Sequence, residues 1–106
     1  MKHKTTLTIF FFFLLSAAIA AEEEKTLQTP MGELSGTLLL PNGIEKMPIV
    51  LLISGSGPTD RNGNNSSMEN NSLKMLAELL ATNGIASLRY DKRGVAKSSE
   101  AIGSEK

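Results

Sequence analysis

The sequence predicts an α/β fold in which a β-hairpin leads into a strand–helix–strand (βαβ) unit of a mostly parallel sheet. Three observations predict it. Threonine and aliphatic residues flank a turn at Pro30–Gly32. The unbroken aliphatic run Ile49–Ile53 breaks abruptly into Ser54, Gly55, Ser56 and Gly57. A helical apolar stripe over residues 73–80 is followed by a second short run, Ile85–Tyr90.

The chain opens with Met1-Lys-His-Lys4, then runs almost wholly apolar from Leu7 to Ile19, with Phe10–Phe13 at its centre, and ends in Ala18-Ile-Ala20. A basic start, a short apolar core and a small-x-small site are the anatomy of a secretory signal peptide, the core being too short to span a bilayer comfortably, and the alternative is an uncleaved N-terminal anchor. Residues 1–20 are therefore expected to be removed after Ala20, leaving 21–106 exported, periplasmic or secreted, with no stable membrane anchor. There is no cysteine, hence no lipid attachment site and no disulfide, and the fold depends on its core.

Loss of Lys2 and Lys4 takes the basic count from 11 to 9 against 11 acidic residues. That mild acidity argues against nucleic acid or an anionic membrane as partner. His3, the single histidine of the sequence, leaves with the signal segment. Residues 21–106 then hold no imidazole base, no thiol nucleophile and no ordinary zinc ligand set, so any chemistry to which they contribute is incomplete within them.

Residues 22–25, acidic apart from Lys25, read as a solvated start. Thr26–Thr29 and Glu33–Leu40 form the hairpin strands, closed by Pro41–Gly43. Ile49–Ile53, behind Pro48, suits a strand covered on both faces. Leu73, Leu76, Ala77 and Leu80, with Met75 and Leu79 widening the face, put one stripe on a helix. Asn71 or Ser72 caps its start, and Asn83-Gly84 ends it in a left-handed turn. Ile85–Tyr90 is the next strand, stopped at Asp91–Gly94, and the two strands should be parallel with a right-handed crossover. The glycine-rich loop then lies at the carboxyl end of a parallel strand, where open α/β sheets bind ligands.

Three chemistries use such a loop. A phosphate loop fails, because Lys97-Ser98 has Asp91 and Ala96 where its glycines belong, and a dinucleotide signature fails at Asp60. A calcium loop fits better. Asp60, Asn62 and Asn64 offer alternate oxygens, although Asn65 stands where glycine belongs and Asn71 where the bidentate glutamate belongs. On this reading the chain is a small exported binding module that uses Asp60–Asn65 for a ligand or calcium. Asp, Asn and Gly are also simply good turn formers. In the third chemistry, acyl transfer, backbone N–H groups of a tight loop stabilise a developing oxyanion.

Ser54–Gly63 together with Leu88–Ser98 resembles the front half of a bacterial exported α/β-hydrolase of the serine aminopeptidase-like or esterase group, over roughly Leu27 to Ser99. The resemblance implies an N-terminal portion, 21–106, of an α/β-hydrolase domain. The parent enzyme would hydrolyse a small-molecule carboxylic ester or amide through an acyl-serine, without metal or organic cofactor. In that family a loop after the third strand provides an oxyanion donor, the N–H of the residue after Gly. Carried over, Ser54 stands where histidine is common, Gly55 keeps its place, Ser56 is the donor and Gly57 completes the turn. The second motif resembles D-x-R-G-x-G-x-S, with Asp91, Arg93, Gly94 and Ser98 in place and Ala96 where Gly is usual, and its implied role is to brace the loop. The nucleophile belongs to a later G-x-S-x-G turn that has no match in residues 1–106. The strand bearing it pairs beside the third strand, which implies an open apolar edge at Ile49–Ile53 in this segment.

Overall fold

The computed structural model describes residues 20–101, so the expected signal segment, apart from Ala20, lies outside the described residues. The first two strands, β1 (Ala20–Thr29) and β2 (Gly32–Pro41), form an antiparallel hairpin across Pro30 and Met31, with Thr29 opposite Gly32. The hairpin was expected, but β1 reaches back through the acidic run to Ala20. Those glutamates are solvent-exposed, as expected, but they belong to the strand rather than to a lead-in. Cross-strand register puts Glu24 beside Thr37 and Glu22 beside Leu39 on one face, where two buried arginines lie.

Pro48 precedes β3 (Ile49–Leu52), and helix α1 (Ser72–Thr82) then leads to β4 (Ala86–Tyr90). Strands β3 and β4 are parallel, β4 is antiparallel to β2, and the sheet order is β1-β2-β4-β3. The expected βαβ unit is present, and β3 pairs on one side only among the described residues. Helix α1 ends as its sequence requires: Gly84 N–H donates to Ala81 O and Ile85 N–H to Leu80 O, at 3.0 Å each, which completes a Schellman turn.

Its start differs from expectation. Asn71 occupies the cap position with φ 55° and makes no side-chain cap. The loop supplies the acceptors instead. Asn70 Oδ1 takes the Ser72 N–H at 3.0 Å, and Asn62 O takes that of Leu73 at 3.0 Å. The free N–H groups of a first helical turn must find partners, and here they tie α1 to the glycine-rich loop.

The sheet has two unlike faces, because side chains alternate along each strand. One face carries Glu22, Glu24, Ser35, Thr37, Leu39, Ser87, Arg89 and Asp91, and packs under α1, where Leu39, Ala77 and Ala81 form the small core. The other carries Leu27, Leu34, Leu51, Leu88 and Tyr90 around an open apolar groove of about 310 Å³. The helical stripe is also shifted from expectation: Ala77 and Ala81 are its buried line, whereas Met75, Leu76 and Leu79 face outward and exposed.

Candidate functional site

The loop leaving β3 is held by its own short side chains. Ser54, buried, donates its hydroxyl to Thr59 O at 3.0 Å, and Thr59 N–H donates to Gly57 O at 2.8 Å. Ser54, where the family resemblance puts histidine, thus closes the loop on itself. Gly57 turns the chain with φ 85°, in the left-handed region that side chains disfavour. Gly55 has no such requirement, and a Cβ there would meet nothing within 4 Å. The N–H groups of Gly55, Ser56 and Gly57 find no acceptor among the described residues.

Behind this turn sits a buried ion network. Arg61, 7% exposed, follows Asp60 in the same loop, and Asp91, 2% exposed, ends β4. Arg61 Nη2 and Nε donate to Asp91 Oδ2 at 2.9 and 3.3 Å, and the Arg61 main-chain N–H reaches Oδ1 at 2.8 Å. Nη1 donates to Glu24 at 2.9 Å and to Thr37 Oγ1 at 2.7 Å, and Nη2 to Ser35 Oγ at 2.8 Å. Burial alone would push the Arg61 guanidinium down, but its hydrogen bonds to Asp91 and Glu24 outweigh burial and hold it above its ordinary value. The hydroxyl of Ser35, with help from Arg61, holds the Glu24 carboxyl below the usual carboxylate range despite some desolvation. One guanidinium therefore ties the loop to both hairpin strands and to β4.

The second motif divides its contacts between loop and hairpin. Asp91 holds Arg61 and also accepts the Lys97 N–H at 3.1 Å. Lys92 Nζ donates to Gly55 O, and to Gly57 O at 2.7 Å. Arg93 instead reaches the hairpin turn, with Nη1 on Thr29 Oγ1 at 3.1 Å. Ser98, fully buried, donates to Asp91 O at 2.6 Å and accepts the Ser35 N–H at 2.9 Å. Gly94 donates its N–H to Ser98 O at 2.9 Å and closes the turn. Ala96, where the resemblance expects glycine, sits at φ 47°.

Two of the oxygens proposed for calcium, Asp60 Oδ1 and Asn64 Oδ1, are otherwise engaged. Asp60 Oδ1 accepts the N–H groups of Asn62 and Asn64 at 2.8 and 2.9 Å, and Asn64 Oδ1 those of Asn70 and Asn71. Among the described residues no cluster of acidic or histidine side chains has the make-up of a metal site. Asp60–Asn65 is a self-satisfied turn that delivers Arg61. Sequence reasoning singled out Asp91 but missed its partner Arg61 and the clamp at Lys92. A long cation embedded in a run of small turn residues was the available signal for Arg61. Lys92 occupies a free position of its motif and gave none.

No protein-family model and no curated protein matches the chain. Solved structures do. A cold-adapted esterase from an Arctic intertidal metagenomic library aligns at TM-score 0.60 and 18% identity, over 76% of this chain and 31% of its own. Dienelactone hydrolase from Anabaena variabilis aligns at 0.56 and 25%, over 78% and 33%. An α/β serine hydrolase homologue from Coxiella burnetii aligns at 0.54 and 30%, over 79% and 36%. The chain spans about a third of the length of these structures. With its sheet order and its crossover helix, the described chain has part of the fold of the α/β serine hydrolases, consistent with the N-terminal portion of one.

Proposed function

We propose that this chain is the front portion of an exported α/β-hydrolase that cleaves a carboxylic ester or amide through an acyl-serine, and that its Ser54–Gly57 loop supplies an oxyanion donor, the Ser56 N–H. One observation supports this most. At the carboxyl end of β3, three successive exposed N–H groups have no protein acceptor among the described residues, while the carbonyls of Gly55 and Gly57 are drawn to Lys92. Donors held in advance, facing where charge develops, are what acyl transfer needs. The likeness to an esterase and a dienelactone hydrolase supports small ester substrates. The nucleophile, acid and histidine come from outside residues 21–106.

The test is turnover of an activated short-chain ester by the full-length protein that carries this segment. Gly55→Val keeps the Ser56 N–H but restricts the backbone and crowds the oxyanion with a branched side chain, and losing the use of that donor should cost about 3–4 kcal/mol of transition-state stabilisation. A Cβ at Gly55 meets nothing in the fold, so the melting temperature should stay near that of wild type. Asp60→Ala should lower stability more than kcat, because its carboxylate organises the turn. The reverse pattern, with Asp60→Ala abolishing activity and calcium tightening the fold, would instead favour the binding module. Export has its own test. Mass spectrometry of the exported protein should find Ala21 as the first residue, and an intact Met1 would indicate an uncleaved anchor.

A further inference from the structure

Lys92 lies between Asp91 and Arg93 and takes no part in the ion network behind the loop. Its ammonium has no carboxylate within ion-pair distance among the described residues. It donates to two main-chain carbonyls, Gly55 O and Gly57 O, from across the gap between β4 and the loop leaving β3. A peptide unit is planar and trans, so its C=O and its N–H point in opposite directions. The unit whose oxygen Lys92 holds at Gly55 is the unit whose N–H belongs to Ser56. Fixing that oxygen towards Lys92 turns the Ser56 N–H away from it, out of the loop.

We infer that Lys92 is the positioning residue of the oxyanion loop: it clamps the Gly55 and Gly57 carbonyls, sets the plane of the Gly55–Ser56 peptide, and so aims the Ser56 N–H at the reacting oxygen. The inference rests on the function proposed above. Its physical basis is twofold. Gly55, Ser56 and Gly57 are exposed, and a Cβ at Gly55 or Gly57 would meet nothing, so sterics alone do not hold these peptides in one orientation. A cation at the oxygen end of a peptide dipole also polarises the unit and strengthens its N–H as a donor, the more so once bound substrate excludes water from this exposed loop. The second clamp, on Gly57 O, holds the far side of the same turn; the next residue is Pro58, which has no N–H to present.

The experiment uses the full-length protein with Lys92→Met, which keeps length and bulk but removes charge and donors, and Lys92→Arg, which restores both. Three quantities are read: kcat and KM for an activated ester, affinity for a boronate that mimics the tetrahedral intermediate, and labelling by a fluorophosphonate. Removing an oxyanion donor costs about 100- to 1,000-fold in kcat. Misaiming one should cost Lys92→Met about 10- to 100-fold, with KM changed less than about threefold and boronate affinity falling in parallel with kcat. Lys92→Arg should recover most of both. A purely structural lysine predicts a lower melting temperature with kcat and boronate affinity retained, and that result overturns the inference. So does a Lys92→Met loss that appears in KM alone. If wild type neither turns over ester nor labels with the fluorophosphonate, the hydrolase reading fails and takes this role with it. If wild type labels and Lys92→Met is as active as wild type, the role of Lys92 alone fails.

Discussion

At the scale of single residues, Ala96 shows how a motif departure appears in backbone geometry. It stands where the resembling family has glycine, and its φ of 47° lies in the left-handed region, where a Cβ crowds the following carbonyl at a cost of about 1–2 kcal/mol. Glycine would remove that strain and return about 0.5–1 kcal/mol as greater freedom of the unfolded chain. Ala96→Gly is therefore expected to stabilise the full-length protein by about 0.5–1 kcal/mol, read as a higher denaturation midpoint at unchanged slope. A drop in midpoint would mean that the Ala96 methyl makes contacts that outweigh the strain. Ser54 is the contrasting departure. Its hydroxyl satisfies Thr59 O within the loop, so replacing the family's histidine leaves the turn closed.

At the scale of elements, the Arg61–Asp91 pair joins the loop after β3 to the end of β4, and Glu24 joins both to β1. Truncating one member of a buried pair leaves the other charge unpaired, which costs about 3–5 kcal/mol. Asp91→Ala should cost stability in that range and loosen the loop, whereas Glu24→Ala, at a partly exposed carboxylate, should cost far less. The Glu24 link also depends on pH. Its carboxyl is held below its ordinary value of 4.5 in the fold, so its contribution is fully present above that value and is lost as pH falls through the lower, folded value. Acid titration of stability should therefore show a component below pH 4.5 that Glu24→Gln removes. A profile unchanged by Glu24→Gln would mean that the carboxylate contributes nothing to the hairpin tie.

The same elements show what was legible in the sequence. The hairpin, the buried strand, the helix with its Asn83-Gly84 stop and the second strand all follow from period-2 and period-3.6 patterning and turn chemistry, which are local signals. The start of β1 was not legible, because two of its glutamates, Glu24 and Glu22, pair with Arg61 and Arg89, partners 37 or more positions away. Nor was the cap of α1, since its acceptors come from Asn62 and Asn70 rather than from a side chain at the cap itself. Of the candidate site, Gly55 and Gly57 stood out as a glycine-rich loop after a buried strand, whereas Ser56 and Asp91 were singled out by the family resemblance. Lys92 and Arg61 were not singled out, because their roles come from contacts across the gap between two parallel strands.

At the scale of the whole molecule, the segment buries little of its apolar surface. Among the described residues Leu39 and Pro41 are the only buried apolar side chains larger than alanine, while Ile49, Leu51, Ile53, Met75 and Leu79 are each more than half exposed. Helix α1 covers the polar face of the sheet and leaves the apolar one open. The free edge of β3 carries no charge and no proline between Ile49 and Ile53 to discourage pairing. The parallel β3–β4 part of this mixed sheet needs cover on both faces, and one helix does not provide it. Residues 21–106 purified alone are therefore expected to be partly unfolded or to associate through β3, seen as early elution in size exclusion and a broad thermal transition. They are expected to hydrolyse no ester, because an oxyanion donor without nucleophile or base has nothing to stabilise. Leu51→Lys, placing a charge on the open face at that edge, should shift the protein towards smaller species without restoring a sharp transition. A monomer with sharp cooperative unfolding and an ester turnover lost in Ser56→Ala would contradict all of this, and would make Ser56 a nucleophile through its hydroxyl rather than a donor through its main chain.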